Sequence, residues 1–192
     1  MPRRIGLFGG SFDPVHLGHL LMAQAAREEL NLDTVYFIPA AQSPFKPGSQ
    51  PAPSELRLQL LRLALAGQTF CEVDDRELRR GGISYTIETV RDYHRRFPDA
   101  QLIYLIGADH APQLPRWREA NELARLLDFA IIPRPGDHPV PLPEPFRGQT
   151  LRGFPFGVSS SQIRSRVRSG LPIDHLVSRE VGEAIRNNQL YL

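Results

Sequence analysis

Short, largely apolar runs alternate with longer amphipathic stretches along the chain. Such runs, bounded by polar or glycine-rich segments, are typical of strands buried on both faces of a sheet. The pattern predicts five strands, at Ile5–Phe8, Val35–Ile38, Phe70–Val73, Leu102–Ile106 and Phe129–Ile132. Because helical patterns separate most of them, the expected fold class is α/β, a doubly wound Rossmann-like parallel sheet. Such a sheet binds its ligand at the carboxyl ends of its strands.

Apolar positions three and four residues apart predict the helices. The clearest are Leu17–Leu30, Glu55–Ala66 with Ser54 as its N-cap, and Thr86–Arg96. Two proline-rich segments, 39–53 and 133–145, are expected to be loops over a site or boundaries.

The last stretch of the chain is expected to be helical. Ser159–Gln162 has the capping-box pattern of a helix start. Gly170 and Pro172 would end this helix, and Ser178 would begin a second one. The length fits one globular domain over residues 1–192, with a C-terminal helical subregion from about 159 to 192.

Composition and charge limit the class of protein and its expected location. With 41% hydrophobic residues the chain can bury an ordinary core, and its formal net charge of +2 does not call for nucleic acid. From Arg147 onward seven arginines face three acidic residues, which favours a local anion site. Cys71 is the only cysteine, and the N-terminal apolar run is too short for a signal peptide or a membrane span. A cytoplasmic protein without a membrane partner is therefore expected, and a homo-oligomer is left open.

The first candidate site, Gly9–His19, lies directly between the first predicted strand and helix. Glycines let a ligand approach the backbone, and a helix N-terminus offers N–H groups and a positive dipole end to phosphate. His16 and His19 are three residues apart, so both can point to one spot, and Gly18 is expected to leave space for a nucleotide. Asp13 is expected to be a turn residue. A glycine-rich turn with two satisfied histidines is the alternative, and zinc is disfavoured because no third ligand lies nearby.

The second candidate site is Ser159–Arg168, whose hydroxyls and N-terminal amides suit a polyphosphate. Arg164 and Arg168 share a helix face and would add positive charge. A well-capped surface helix with a solvated basic face is the alternative. The histidine motif elsewhere in the chain favours the phosphate site.

These two motifs carry a resemblance to a known superfamily. The chain resembles the HxGH nucleotidyltransferases, whose first motif matches Gly9–His19 and whose second, Ser-Ser-Thr-x-Ile-Arg, matches Ser159–Arg164 with Ser161 for Thr. Within that superfamily it is similar to the bacterial nicotinate-nucleotide adenylyltransferases over nearly its whole length. That similarity rests on Gly-Gly-Ser-Phe-Asp-Pro at 9–14, Ser84-Tyr85-Thr86, Gly107-Ala108-Asp109 followed by Trp117, and Arg134-Pro135-Gly136.

The resemblance implies a set of site residues. On the ATP side these are Gly9, Gly10, Ser11, Phe12, His16, His19, Gly107, Asp109, Ser160, Ser161 and Arg164. On the nicotinate-nucleotide side they are Ser11, Phe12, Lys46, Thr86, Trp117 and Arg134. The expected catalytic residues, which would supply a positive field together with Mg²⁺, are His16, His19, Lys46 and Arg164. No metal ligand from the protein is expected, because Mg²⁺ would arrive on the ATP phosphates with water ligands.

Two of these residues also have a plainer interpretation. Lys46 is the only lysine among 23 basic residues, which favours a function, but it could be a solvated loop residue. The family commonly has His before this lysine, whereas this chain has Phe45. Trp117 could belong to the core. Its neighbours Arg116 and Arg118 instead predict an exposed segment, in which its ring would stack on a ligand.

The implied reaction transfers AMP from ATP to nicotinate mononucleotide, giving deamido-NAD and pyrophosphate in NAD biosynthesis. A preference for the acid over the amide is expected, because Thr86 begins a helix and Arg79 and Arg80 lie just upstream. Pantetheine-phosphate adenylyltransferases and cytidylyltransferases share the HxGH pattern, but neither accounts for the Trp117 segment. Class I aminoacyl-tRNA synthetases resemble the first motif only. A nucleotide-sensing module would lack one of the two histidines.

Overall fold

Six parallel strands form one sheet in the computed structural model, which describes residues 2–45, 48, 50–133, 136, 141–154 and 156–192. The strands are β1 (Arg4–Gly10), β2 (Thr34–Pro39), β3 (Cys71–Val73), β4 (Gln101–Gly107), β5 (Asp128–Ile132) and β6 (Gly148–Thr150). They lie in the order β3-β2-β1-β4-β5-β6, and each neighbouring pair is parallel. The predicted α/β sheet is confirmed, and all five predicted strands are present.

β6 is the strand that the apolar pattern did not predict. Its three residues are all exposed, so no buried run marks it. Gly148 has φ +151°, and a Cβ there would lie 1.8 Å from the carbonyl oxygen of Phe129. Only glycine fits this close pairing with β5.

Helices connect the strands and cover both faces of the sheet. In the described part of the chain they are α1 (Leu17–Leu30), α2 (Ser54–Ala64), α3 (Arg76–Arg80), α4 (Thr86–Arg96), α5 (Ala120–Leu126), α6 (Ser160–Arg168) and α7 (Arg179–Asn187), with a 3-10 helix at Ala108–Arg116. The predicted bounds of α1 and α4 are confirmed. None of these helices is both long and apolar enough to cross a membrane.

Two of the three predicted helix starts hold, those at Ser159 and Ser178. Ser178 is the N-cap of α7, and its side chain accepts a hydrogen bond from the Val181 N–H. The N-cap of α2 is Pro53, so the prediction that Ser54 caps this helix is wrong. Ser54 is instead the first helical residue, and its hydroxyl accepts a hydrogen bond from Arg57 at 3.3 Å.

Successive side chains of each strand point to opposite faces of the sheet, so the core has two layers. Phe8 faces one side, with residues of α1, α2, α6 and α7, whereas Leu7 faces the other, with residues of α4 and α5. The C-terminal helices join the first layer through buried residues such as Ile163 and Ile185. Full burial of an aliphatic side chain contributes about 1.5–3 kcal/mol. The C-terminal helices are therefore held by the core that also covers the sheet.

The candidate motifs begin where the strand order reverses, between β1 and β4. The carboxyl ends of two such strands form the switch point at which sheets of this kind bind ligands. Gly10 ends β1 and Gly107 ends β4, so both glycine-containing motifs start at this edge.

Candidate active site

The loop of residues 11–16, called the motif loop below, turns sharply after β1. Phe12 has a left-handed backbone with φ +45°, and the residue is only 2% exposed. Its ring packs edge-on against Phe8 and His19, with centroids 5.5 and 5.0 Å away. A bulky residue in this backbone region is strained and persists only where its surroundings hold it. The motif loop is therefore fixed by packing on β1 and α1.

His16 and His19 stack on each other at the N-terminus of α1. His16 is the N-cap, and its backbone N–H donates to Nδ1 of His19 at 3.2 Å. The ring centroids are 3.7 Å apart, with an interplanar angle of 27°. The prediction that both side chains point to one spot is confirmed. Because Nδ1 of His19 accepts this hydrogen bond, the neutral ring carries its proton on Nε2.

Burial changes the role expected of His16. The residue is 5% exposed, and burial lowers its pKa to about 4, because apolar surroundings disfavour the charged ring. His16 is therefore neutral at pH 7. This neutral form does not support the expectation that His16 supplies positive charge.

Gly18 makes room for His16. A Cβ at Gly18 would lie 3.0 Å from Cε1 and Nδ1 of His16 and 3.2 Å from a methyl carbon of Val158. The histidine ring therefore occupies the space on the Cβ side of Gly18, and the approach of a nucleotide to its backbone stays a prediction.

The second motif caps α6 with its own side chains. Ser159 is the N-cap, and its Oγ accepts from the Gln162 N–H at 3.3 Å. The Ser159 N–H donates in return to Oε1 of Gln162 at 2.9 Å. The predicted capping box is confirmed. The hydroxyl of Ser161 lies 3.0 Å from that of Ser159, so two hydroxyls stand together at this helix end.

Two hydrogen bonds join α6 to the motif loop. The Ser160 hydroxyl donates to the carbonyl of Pro14 at 2.9 Å. Nη1 of Arg164 donates to the carbonyl of Asp13 at 2.7 Å. The structure therefore brings together the two motifs, which lie at opposite ends of the sequence. A cavity of about 380 Å³ flanks α6, lined in part by Val158.

The carboxylate of Asp13 ties further segments to this junction. Its Oδ1 accepts from the Tyr191 hydroxyl at 2.9 Å and from the Ala52 N–H at 3.1 Å. Its Oδ2 lies 3.6 Å from Nη1 of Arg164. Burial and the charge of Asp13 raise the pKa of Tyr191, so its hydroxyl keeps its proton at pH 7. Asp13 lies in a turn, as predicted, and also holds the C-terminal segment against the motif loop.

Gly107 and Asp109 lie where β4 ends. A Cβ at Gly107 would lie 2.6 Å from Oδ1 of Asp109, so only glycine allows this carboxylate to fold back over the strand end. Asp109 is exposed at the start of the 3-10 helix. Both residues expected on the ATP side therefore share an edge with the motif loop.

A second cavity, of about 450 Å³, lies between the start of α4 and the 3-10 helix. Its lining includes Phe45, Tyr85, Thr86, Arg116, Trp117 and Arg118. Trp117 is only 9% exposed, so the expectation of an exposed segment is wrong at this residue. Its ring packs edge-on against Tyr104 and Phe129, and its indole N–H is buried without a hydrogen-bond partner in the described part of the chain.

Tyr104 lies between the first motif and this cavity. Its hydroxyl lies 2.1 Å from the position that a Cβ of Gly9 would take, which explains why a glycine is needed there. The nearby Thr86 side chain lowers the pKa of this hydroxyl, against the larger rise that its burial causes. Because its ring also contacts Trp117, Tyr104 places the motif and the cavity side by side.

Phe45, at the position where the resembling family has His, packs on Trp117 with ring centroids 5.5 Å apart. It remains 40% exposed at the cavity mouth. Lys46 and Arg134 lie outside the described residues.

Arg79 and Arg80, which were expected to favour an anion, form ion pairs with acidic residues and do not line the cavity. Nε of Arg79 lies 2.8 Å from Asp75, and Nε of Arg80 lies 3.3 Å from Glu88. The arginines that line the cavity are instead those on either side of Trp117.

Comparison with known proteins assigns the chain to a family. Residues 7–166 match the cytidylyltransferase-like family. A probable nicotinate-nucleotide adenylyltransferase from Opitutus terrae is 42% identical, over 98% of this chain and 97% of that protein. A protein of the same name from Rhodopirellula baltica is 40% identical, over 97% of this chain and 92% of its own length. The chain belongs to the nicotinate-nucleotide adenylyltransferase family.

Solved structures share the fold of this family member. Plasmodium falciparum nicotinic acid mononucleotide adenylyltransferase complexed with NaAD has a TM-score of 0.80 and 18% identity, covering 98% of this chain and 97% of that one. The same enzyme complexed with APC has a TM-score of 0.79 and 15% identity, with the same coverage. At such identities the likeness concerns the fold alone.

Two residues of this family member contact the motif loop but were not predicted from the sequence. Arg57 is 1% exposed and donates to the carbonyl of Ser11 at 2.7 Å. An arginine on the face of α2 that buries Leu60 and Leu61 is the signal that could have revealed it. Tyr191 belongs to no local motif, and nothing in the sequence marks its contact with the loop.

Proposed function

We propose that this chain transfers the adenylyl group of Mg²⁺-ATP to nicotinate mononucleotide, giving deamido-NAD and pyrophosphate. The observation that carries the proposal is the meeting of the two motifs, through Ser160 and Arg164, beside a cavity walled by Trp117. A helix N-terminus with its amides suits a polyphosphate. An aromatic-walled pocket in the same crevice suits a pyridine ring.

The chemistry requires positioning more than proton transfer. An oxygen of the acceptor phosphate attacks the α-phosphorus of ATP, and the bond from that phosphorus to the bridging oxygen of the β-phosphate breaks. Pyrophosphate leaves with the electron pair of that bond. The acceptor phosphate is already ionised at pH 7, so no general base is needed, and His16 acts as a hydrogen-bond donor. The rate enhancement then comes from alignment and from stabilising charge on the transferring group.

We assign the ATP side to the carboxyl edge of β1 and β4. The binding residues are Gly9, Gly10, Ser11, Phe12, Gly107, Asp109, Ser160 and Ser161, with His16, His19, Arg164 and Lys46 around the transferring phosphates. The described residues include no group of three His, Cys, Asp or Glu side chains placed to hold a metal. The donors in the crevice are N–H and hydroxyl groups, which suit phosphate oxygens. Magnesium therefore enters as part of the ATP substrate, with water as its other ligands.

We assign the nicotinate ring to the cavity walled by Trp117, with Thr86 and Arg134 as further contacts. Thr86 is the first residue of α4, whose free N-terminal amides and positive dipole end suit a carboxylate. Arg116 adds positive charge to the lining, whereas the charge of Arg118 is offset in part by Glu88, 3.5 Å away. These groups favour nicotinate over the neutral nicotinamide.

The test is to incubate the protein with Mg²⁺-ATP and one acceptor at a time, and to measure pyrophosphate release. The acceptors are nicotinate mononucleotide, nicotinamide mononucleotide and phosphopantetheine. We expect kcat/KM for the nicotinate compound to exceed that for the nicotinamide compound by about tenfold or more, which is about 1.4 kcal/mol. Equal use of both would remove the acid preference, and no release with any acceptor would overturn the proposal.

We further propose a cytoplasmic enzyme that acts as one domain over residues 1–192. Cys71 is half-buried, and burial raises its pKa to about 12, so it is an inert thiol suited to a reducing compartment. The helices of the C-terminal subregion share the core of the sheet. Limited proteolysis that released a stable fragment ending near residue 158 would contradict the single domain.

A further inference from the structure

Arg57 is a buried cation beneath the motif loop. The residue is 1% exposed, although arginine is almost never fully buried without partners. Its guanidinium donates to the carbonyls of Ser11 at 2.7 Å, Ala40 at 2.9 Å and Ala52 at 3.0 Å. These three partners are main-chain carbonyls, and Nη2 donates to the Ser54 hydroxyl at 3.3 Å, so the position demands several donors in a fixed arrangement.

The three carbonyls belong to three segments at the ligand-binding edge of the sheet. Ser11 begins the motif loop after β1, and Ala40 directly follows β2. Ala52 lies at the end of the proline-rich segment, just before α2. One side chain therefore fixes the motif loop relative to the two segments that enclose it.

The contact with Ser11 sets the orientation of the peptide that links Ser11 to Phe12. This peptide is trans, so its C=O and N–H point in opposite directions. Because the C=O points down to Arg57, the Phe12 N–H points to the other side of the loop. The left-handed backbone of Phe12 must be held in place, and this hydrogen bond holds it from the preceding residue.

The positive charge of Arg57 adds to this effect. Carbonyl oxygens satisfy its N–H groups without cancelling its net charge, and the nearby carboxylate of Asp13 is shared with Arg164 and Tyr191. A charge in low-dielectric surroundings acts over a longer range than one in water. It therefore favours an anion on the opposite side of the motif loop.

We propose that Arg57 is a positioning residue that turns the Phe12 N–H toward the phosphates of ATP. The residue touches no substrate and acts through the Ser11–Phe12 peptide. The identity of the anion as ATP rests on the function proposed above.

The test compares Arg57→Lys with Arg62→Lys. Lysine keeps the charge, but its three donors share one nitrogen and cannot reproduce the spacing of the Nε and Nη1 donors of Arg57. Arg62 lies on the same helix, with its side chain 63% exposed, and serves as the matched control. ATP binding is measured by calorimetry, and binding of nicotinate riboside, which has no phosphate, by the emission of Trp117, the only tryptophan.

We expect Arg57→Lys to weaken ATP binding by about tenfold or more while the riboside dissociation constant stays within about twofold of its normal value. Arg62→Lys should change neither. An equal loss of affinity for ATP and for the riboside would point to a purely structural role and overturn the proposal. Unchanged ATP binding would also overturn it. Calorimetry needs no turnover, so a wrong acceptor assignment would leave the comparison of ATP binding between the two variants intact.

A second measurement uses the unaltered protein and covers the case in which Arg57→Lys does not fold. Addition of inorganic pyrophosphate should shift the amide resonance of Phe12 in a nitrogen–proton correlation spectrum. A Phe12 amide that does not respond, while other motif-loop amides do, would overturn the proposed orientation.

Discussion

Replacing Gly18 by Ala should reduce activity without unfolding the protein. The new Cβ would lie 3.0 Å from two ring atoms of His16 and 3.2 Å from Val158. Because these separations are tighter than ordinary Cβ contacts, the imidazole must move by a few tenths of an ångström. That movement separates His16 from its stacked partner His19 at the N-terminus of α1.

The magnitudes follow from two opposing effects on stability and one on catalysis. Alanine in place of glycine stabilises a helix by up to about 1 kcal/mol. Overpacking costs about 1–3 kcal/mol, so a net loss of about 0–2 kcal/mol is expected. For a chain of this size that loss lowers Tm by at most about 8 °C. A misplaced group at the reacting centre can cost about a hundredfold, so kcat/KM should fall by about ten- to a hundredfold.

Gly182→Ala is the matched control. Gly182 lies within α7, and its Cβ would meet Val177 at 3.5 Å and Arg186 at 3.7 Å, which are ordinary contacts. This variant should keep full activity and gain up to about 1 kcal/mol of stability. Pyrophosphate release and thermal unfolding followed by circular dichroism measure both variants. Gly18→Ala with the activity of the control would refute the conclusion that Gly18 makes room for His16.

Four further changes test other parts of the site. His19→Ala should cost about 3–4 kcal/mol of transition-state stabilisation with an unaltered circular dichroism spectrum, and near-normal turnover would remove His19 from the mechanism. The folded-state pKa of His16, about 4, lies below its ordinary 6.5. The unfolded chain therefore takes up the proton first, and the free energy of unfolding should fall by up to about 3 kcal/mol between pH 7 and pH 4 because of this residue. Urea unfolding of His16→Gln should lack that contribution, and equal acid sensitivity of both proteins would contradict the burial argument. Trp117→Ala should lower kcat/KM for nicotinate and nicotinamide mononucleotides in similar proportion, because a stacked ring does not distinguish acid from amide. A changed ratio of the two kcat/KM values would contradict this. Phe45→His should raise kcat/KM modestly or leave it unchanged, and a clear loss would mean that the packing of Phe45 on Trp117 is needed.

The sequence predicts those parts of the fold that local periodicity determines. The five predicted strands have apolar runs because helices cover both faces of the sheet. β6 is exposed along its whole length, so the only trace of it is Gly148. Trp117 was expected to be exposed because its neighbours are charged, but the side chains of such a segment point in different directions and the ring packs inward.

The candidate site also has contacts that local spacing predicts and contacts that it does not. The stacked histidines and the capping box at Ser159 involve residues three apart, and their spacing could be recognised directly. The contact of Arg57 with Ser11 spans 46 residues, and that of Tyr191 with Asp13 spans 178. Contacts of that range depend on how the helices pack on the sheet, which no local pattern specifies.

Both edges of the sheet are short. β3 and β6 have three residues each, whereas β1 and β4 in the interior have seven. A long open edge presents main-chain N–H and C=O groups with which another chain can pair, and such pairing leads to aggregation. An edge of three residues offers very few of these groups. The sheet is therefore poorly suited to growth by addition of strands.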